Sequence, residues 1–198
     1  MSIKFDTKQV SLFAIFILLT LTLTLNHAYA TTIAVGSNPT DVVFDSHLNE
    51  IFVSNYDSGS GNTVSVISDA TNMVTEIITV GSGPAGVAFD SNKGEVFVAN
   101  EGSGTVSVIS DATNEVTANV TVGSNPVNVV FDSHLNEVFV SNYDSGSGNT
   151  VSVIPDATNT VTETLTVGSG PYGVAFDSNK GEVFVANNVS GTVSVVSG

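Results

Sequence analysis

Cysteine, tryptophan and arginine are missing from this chain, and four lysines are its only permanent cations. Without cysteine there are no disulfides or thiolate metal sites, so stability must come from packing. Beyond residue 30 only Lys93 and Lys180 remain against eighteen acidic residues, a net charge of −16. Such a surface repels nucleic-acid phosphates and anionic lipid, and suits cationic partners or simple solubility. Histidine is nearly absent as well. His47 and His134 fall in turn-like stretches, and Met73 is the one sulfur after Met1. No Ser-His-Asp constellation and no haem-ligand set can be assembled from these. No window carries the apolar stripe of an amphipathic helix.

A continuous apolar run occurs once. Lys4 and Lys8 precede Val10–Leu25, and Asn26-His27-Ala28-Tyr29-Ala30 ends in small-x-small. This reads as a secretory signal, residues 1–30, cleaved after Ala30. The alternative is a retained anchor, but the run is about 16 residues and is diluted by Thr20, Thr22 and Thr24, short of the roughly 20 that span a bilayer. The processed chain is therefore expected to be secreted or held at the cell surface, with no membrane insertion.

What fills the remainder is repetition. Val-Gly-Ser-(Asn/Gly)-Pro opens at Val35, Val80, Val122 and Val167, in steps of 45, 42 and 45 residues. In the first unit, 41–44 and 50–54 are short apolar runs, 63–67 alternates apolar with polar, and 74–80 is a fourth run with Val, Ile and Thr. These are strands. Asp-Ser-His-Leu-Asn at 45–49 and Asp-Ser-Asn-Lys-Gly at 90–94 are turns in which Asn49 and Gly94 supply positive φ. Four strands in about forty residues is one propeller blade. The sequence predicts an all-β fold: a β-propeller of four four-stranded blades over residues 31–198, the blades near 37–80, 82–122, 124–167 and 169–198 plus 31–35.

Units one and three differ at seven positions over 45 residues: Thr40/Val127, Asp41/Asn128, Ile51/Val138, Ser68/Pro155, Met73/Thr160, Ile77/Thr164 and Ile78/Leu165. Units two and four are similarly close, so the duplicated element is a pair of blades. The last unit stops after a third strand, Thr192–Val196, while Thr31–Gly36 aligns with the fourth strands of the other units. The expectation is closure of the ring by the N-terminal strand completing the last blade, which would remove an exposed edge. A self-closed four-bladed monomer leads. An eight-bladed ring of two strand-exchanging chains and an open arc are the alternatives, because the modest Val, Ala, Ser and Gly side chains favour flatter blade packing.

Phe52-Val53-Ser54-Asn55-Tyr56, then Asn62-Thr63-Val64-Ser65-Val66-Ile67, Asp69-Ala70-Thr71-Asn72 and Val80-Gly81-Ser82-Gly83-Pro84 closely resemble the YVTN-family β-propeller repeat. The match recurs at Phe97–Asn100, Phe139–Asn142 and Phe184–Asn187. Phe stands for Tyr, and Ser or Ala for Thr. The resemblance implies an extracytoplasmic propeller of the surface-layer type. It implies no one activity, since fold alone does not transfer function.

The expected role is a non-catalytic binding or structural module for a protein or a cell-surface glycan, with no cofactor and no metal. The alternative is a propeller enzyme of the lactonase or the quinone- or haem-dependent oxidoreductase type, which would line its channel with several carboxylates, histidines or arginines. Inward-facing positions are expected at Asp41, Gly86, Asn128 and Gly173. A binding face is expected from the blade linkers and second-to-third-strand loops: Asp41, Tyr56, Asp57, Glu101, Asn128, Tyr143, Asp144 and Tyr172, where rings among carboxylates could grip a sugar or basic peptide. The loops at 57–62 and 144–149 invite calcium, yet each has one carboxylate where calcium takes six to eight oxygens; a flexible hairpin tip is the simpler expectation. Asn188 and Asn119 match the glycan acceptor pattern, Asn188 on a loop and Asn119 in a strand where access is poor.

Overall fold

A computed structural model describes residues 30–198. The leader, residues 1–29, lies outside the described residues. Among those described, no helix is long and apolar enough to cross a membrane.

Among the described residues, fifteen strands form four antiparallel sheets. Blade 1 is β1 (Pro39–Asp45), β2 (Glu50–Asn55), β3 (Thr63–Ser68) and β4 (Met73–Thr79). Blade 2 is β5 (Pro84–Asp90), β6 (Glu95–Asn100), β7 (Thr105–Ser110) and β8 (Glu115–Thr121). Blade 3 is β9 (Pro126–Asp132), β10 (Glu137–Asn142), β11 (Thr150–Pro155) and β12 (Glu163–Thr166). Blade 4 is β13 (Pro171–Asp177), β14 (Glu182–Asn187) and β15 (Thr192–Ser197). Within each blade the strands pair in sequence order. This is the all-β propeller architecture that the repeat spacing predicts.

Turn chemistry sets the blade. Asn49, Asn136, Gly94 and Gly181 take φ of 57°, 58°, 71° and 69° between the first and second strands. Each first strand ends in Asp, whose Oδ1 accepts turn amides: Asp45 from His47 N at 2.7 Å, Asp90 from Asn92 N at 2.7 Å and Asp132 from His134 N at 2.7 Å. Burial pushes the Asp90 carboxyl above its ordinary value, against the lowering effect of the Asn92 and Lys93 amides. Each proline after the linker opens a first strand, at the edge of its sheet, where the missing N–H costs no ladder bond. Pro155 ends β11, and its partner strand β12 is four residues long where β4 has seven.

The period-2 alternation sends neighbouring side chains to opposite faces of a blade, so each inner blade packs on two neighbours. Phe52, Val64, Val66 and Ile78 meet Val87, Val96, Val98 and Ile109 between blades 1 and 2. Phe97, Val106 and Val108 meet Val129, Phe131, Val138 and Val140 between blades 2 and 3. Phe139, Val151 and Val153 meet Val183 and Val185 between blades 3 and 4. First strands lie side by side along the inner edge, β1 on β5, β5 on β9 and β9 on β13.

The expected closure of the last blade by residues 31–35 is not found. β15 is the outer strand of a three-stranded sheet, and residues 31–36 belong to no strand. The segment that follows Ala34 is held at the other end of the row. Gly36 N donates to Asn55 Oδ1 at 3.1 Å, and Tyr56 N and Asp57 N donate to Asn38 O and Ser37 O. Val42 and Phe44 on blade 1 and Val193 and Val195 on blade 4 stay exposed.

Candidate functional site: a tyrosine-lined cleft

The asparagine that ends each Phe-Val-(Ser/Ala)-Asn stretch is buried in all four blades. Asn55 donates from Nδ2 to Thr63 Oγ1 at 3.1 Å and Ser65 Oγ at 3.0 Å; Asn100, Asn142 and Asn187 do the same to their own Thr and Ser. In blades 1 and 3 its Oδ1 accepts the linker amide of Gly36 or Gly123. The linker glycine is needed because a Cβ there would strike this asparagine. The repeat motif is thus a clamp joining linker, second strand and third strand, and it leaves the residue after it, Tyr56, Glu101 or Tyr143, to project from the blade.

Those residues line a cleft of about 370 Å³ beside the first strands, with Thr40, Asp41, Ala85, Gly86, Val127, Asn128 and Tyr172. Tyr143 and Tyr172 meet edge to face, centroids 5.4 Å apart and planes at 89°. Glu101 pushes the Tyr56 phenol up to about 12, first as a hydrogen-bond acceptor, with burial and charge adding to it. Asp41 is committed to the backbone: Oδ2 accepts Val87 N and Oδ1 accepts Val42 N, both at 2.9 Å. Asn128 Oδ1 likewise accepts Val129 N at 2.8 Å. Glu101 is therefore the carboxylate of the cleft not bound to backbone amides.

Six of the eight expected binding-face residues line this cleft: Asp41, Tyr56, Glu101, Asn128, Tyr143 and Tyr172. Asp57 and Asp144 do not. They open short 3₁₀ turns, Asp57–Gly59 and Asp144–Gly146, at φ of 43° and 45°. These loops are fastened by their own backbone, with Gly59 N and Gly61 N both donating to Tyr56 O. Of the inward-facing positions, Gly86 lines the cleft with Asp41 and Asn128, and Gly173 does not. Asn188 is exposed on its loop. Asn119, expected to be poorly accessible, is exposed on β8, with its Oδ1 accepting from Ser107 Oγ at 2.8 Å.

His47 and His134 sit in the first turns of blades 1 and 3, each with its ring edge-on to a phenylalanine of the next blade, Phe89 at 5.1 Å and Phe176 at 5.3 Å. One grouping escaped the sequence. Asp45, His47 and Asp111 place ligand atoms within 4.8 Å of one another. His47 Nδ1 lies 3.2 Å from Asp111 Oδ2 and Nε2 lies 2.9 Å from Ser91 O, so both ring nitrogens already have partners. Its signal was the register of adjacent blades, which sets a first turn beside the third-to-fourth-strand turn of its neighbour.

No family model and no curated protein sequence matches the chain. Solved structures do. Hydrazine synthase of Kuenenia stuttgartiensis superposes with a TM-score of 0.74 at 18% identity, over 86% of this chain and 49% of that one. The WD40 β-propeller domain of Doa1 gives 0.66 at 14% identity, over 82% and 51%. A functionally unknown protein from Desulfotomaculum acetoxidans gives 0.67 at 19% identity, over 87% and 60%. These likenesses show the propeller fold. The chain spans about half the length of the structures it resembles.

Proposed function

We propose that this chain is a secreted or cell-surface propeller module of the YVTN-repeat type that binds a protein or glycan in its tyrosine-lined cleft and carries out no catalysis. The observation that carries the reading is the convergence of Tyr56, Tyr143 and Tyr172, from blades 1, 3 and 4, with Glu101 from blade 2. Rings that are flat, rigid and hydroxyl-tipped stack on sugar faces or aliphatic stems at low entropic cost, and an available carboxylate takes a hydroxyl or an ammonium. The acidic, cation-poor surface fits an extracytoplasmic setting. Asp41 keeps both oxygens on backbone amides, which suits a shaping role better than proton transfer.

Isothermal titration of the purified protein with soluble envelope oligosaccharides and with a short oligolysine peptide tests this. Saturable binding to one of the two is expected. The triple variant Tyr56→Ala, Tyr143→Ala, Tyr172→Ala should abolish it with the circular dichroism unchanged. Unaltered binding by that variant would remove the cleft from the proposal.

A further inference from the structure

We infer that two copies of this chain close into one eight-bladed ring, blade 4 of each seated on blade 1 of the other, with residues 32–35 of one copy supplying the fourth strand that the other's last blade lacks. The argument comes from the junction inside the chain. Blade 4 repeats blade 2 and blade 1 repeats blade 3, at a constant offset of 87 residues. A contact of blade 4 with blade 1 of a second copy therefore has nearly the composition of the blade 2–blade 3 junction, with Thr40, Asp41 and Ile51 standing for Val127, Asn128 and Val138.

The apolar parts agree. Inside the chain Val106 and Val108 face Val129 and Phe131, and these four are 0–8% exposed. Their counterparts Val193, Val195, Val42 and Phe44 have the same identities and are 49–62% exposed. Two faces built for each other are both uncovered, at opposite ends of the row.

The polar parts agree as well. Asn92 Nδ2 donates to Asn136 Oδ1 at 2.7 Å, and Lys93 Nζ donates to Asp156 O at 2.6 Å. The second copy would offer Asn49 to Asn179 and the Asp69 carbonyl to Lys180, again the same residue types. Val122 N donates to Gly104 O at 3.1 Å where the fourth strand of blade 2 leads into blade 3. The matching pair is Val35 N and Gly191 O. The linker at Gly36 is already bonded to Asn55 as Gly123 is to Asn142, so the N-terminal segment leaves blade 1 in the direction the preceding blade would occupy.

A glycine supplies an independent mark. A Cβ on Gly86 would lie 2.7 Å from the Asn128 Cα across the junction. At Gly173, the counterpart, the nearest atom to such a Cβ is Ala186 Cβ at 3.9 Å. Within one chain Gly173 could be alanine. Against the Asp41 backbone of a second copy it could not. Both junctions of the ring are head to tail, and a rotation of half a turn closes them. The inference rests on the exposed faces and does not depend on what the cleft binds.

Sedimentation equilibrium of the purified protein should give twice the chain mass, and Gly173→Ala should weaken self-association by about tenfold or more while leaving the secondary structure intact. Val193→Asp should leave a monomer. The doubly substituted chain Thr32→Cys, Ser194→Cys tests the strand itself, because these positions correspond to the paired Asn119 and Ser107 and no other cysteine is present. On oxidation a covalent dimer is expected on a non-reducing gel. A monomer at all concentrations, a series of masses beyond the dimer, an intramolecular disulfide, or full dimerisation of Gly173→Ala would each overturn the inference.

Discussion

The junction between blades 2 and 3 differs in kind from the two that flank it. Within each duplicated pair a histidine closes the outer end: His47 stands edge-on to Phe89 and His134 to Phe176. At the inner end Ser54 Oγ donates to Ala85 O at 2.6 Å and Ser141 Oγ to Tyr172 O at 2.8 Å. Between the pairs, Asn92 replaces the histidine and reaches Asn136, alanine replaces the serine at Ala99, and the backbones close up at Gly86. Every junction thus has an apolar cluster, but inside a pair a histidine ring and a serine hydroxyl bridge the blades, whereas between pairs an asparagine pair and a lysine do so and the backbones close up. A duplicated pair can keep the first sort unchanged, while the second had to work at both of its ends.

The largest expected effect falls on the junction between pairs. Phe97 is fully buried there, and Phe97→Ala should cost about 3–5 kcal/mol of stability, read as a lowered midpoint in urea. The half-buried Phe184, its counterpart in blade 4, should lose clearly less on the same change in a monomeric background such as Val193→Asp. If the two losses are equal, the contrast in burial does not govern stability. Next comes Gly86→Ala, which forces the blade 2 and 3 backbones apart and should cost about 1–3 kcal/mol. Smaller again is His134→Asn, which converts a within-pair contact toward the between-pair type. The loss of the edge-on ring contact should cost about 1 kcal/mol, measured by the same denaturation. The smallest effect is spectroscopic. Tyr56 should ionise near 12 because of Glu101, so in Glu101→Gln one phenol should move down toward its ordinary value of about 10 in an ultraviolet absorbance titration. The sign follows from the neutral phenol being favoured by the adjacent carboxylate. The folded state gains from this below pH 10 and loses it as pH rises toward 12.

Much of the architecture was legible because it is local. Valine at alternate positions of 63–67 makes β3, and Asn49 or Gly94 turns the chain, whatever surrounds them. The cleft was partly legible for the same reason: the residue after each buried Asn projects from the blade, so Tyr56, Glu101 and Tyr143 could be placed together. Asp41 followed from the inward first strand, and Tyr172 from the blade linker before it. Asp57 and Asp144 lie outside the cleft lining, in turns where each and the serine after it, Ser58 or Ser145, take left-handed conformations, φ 43–56°. Serine gives no warning of that. The fate of residues 31–35 was not legible within one chain. Strand pairing depends on the angle between blades, which accumulates from the volumes filling three junctions and leaves no trace in any local pattern. The meeting of Asp45, His47 and Asp111 was hidden for a related reason, since it requires the register of one sheet against the next.

The two alternating kinds of junction restrict how such a chain can grow. In a closed ring, an odd number of such blades would set two like surfaces side by side at one boundary, histidine turn by histidine turn or asparagine turn by asparagine turn. An added pair restores the order at every boundary. Lengthening of this molecule by duplication should therefore proceed in even steps, with odd numbers of blades reached only after the pair members have lost their differences at positions such as His47 and Asn92.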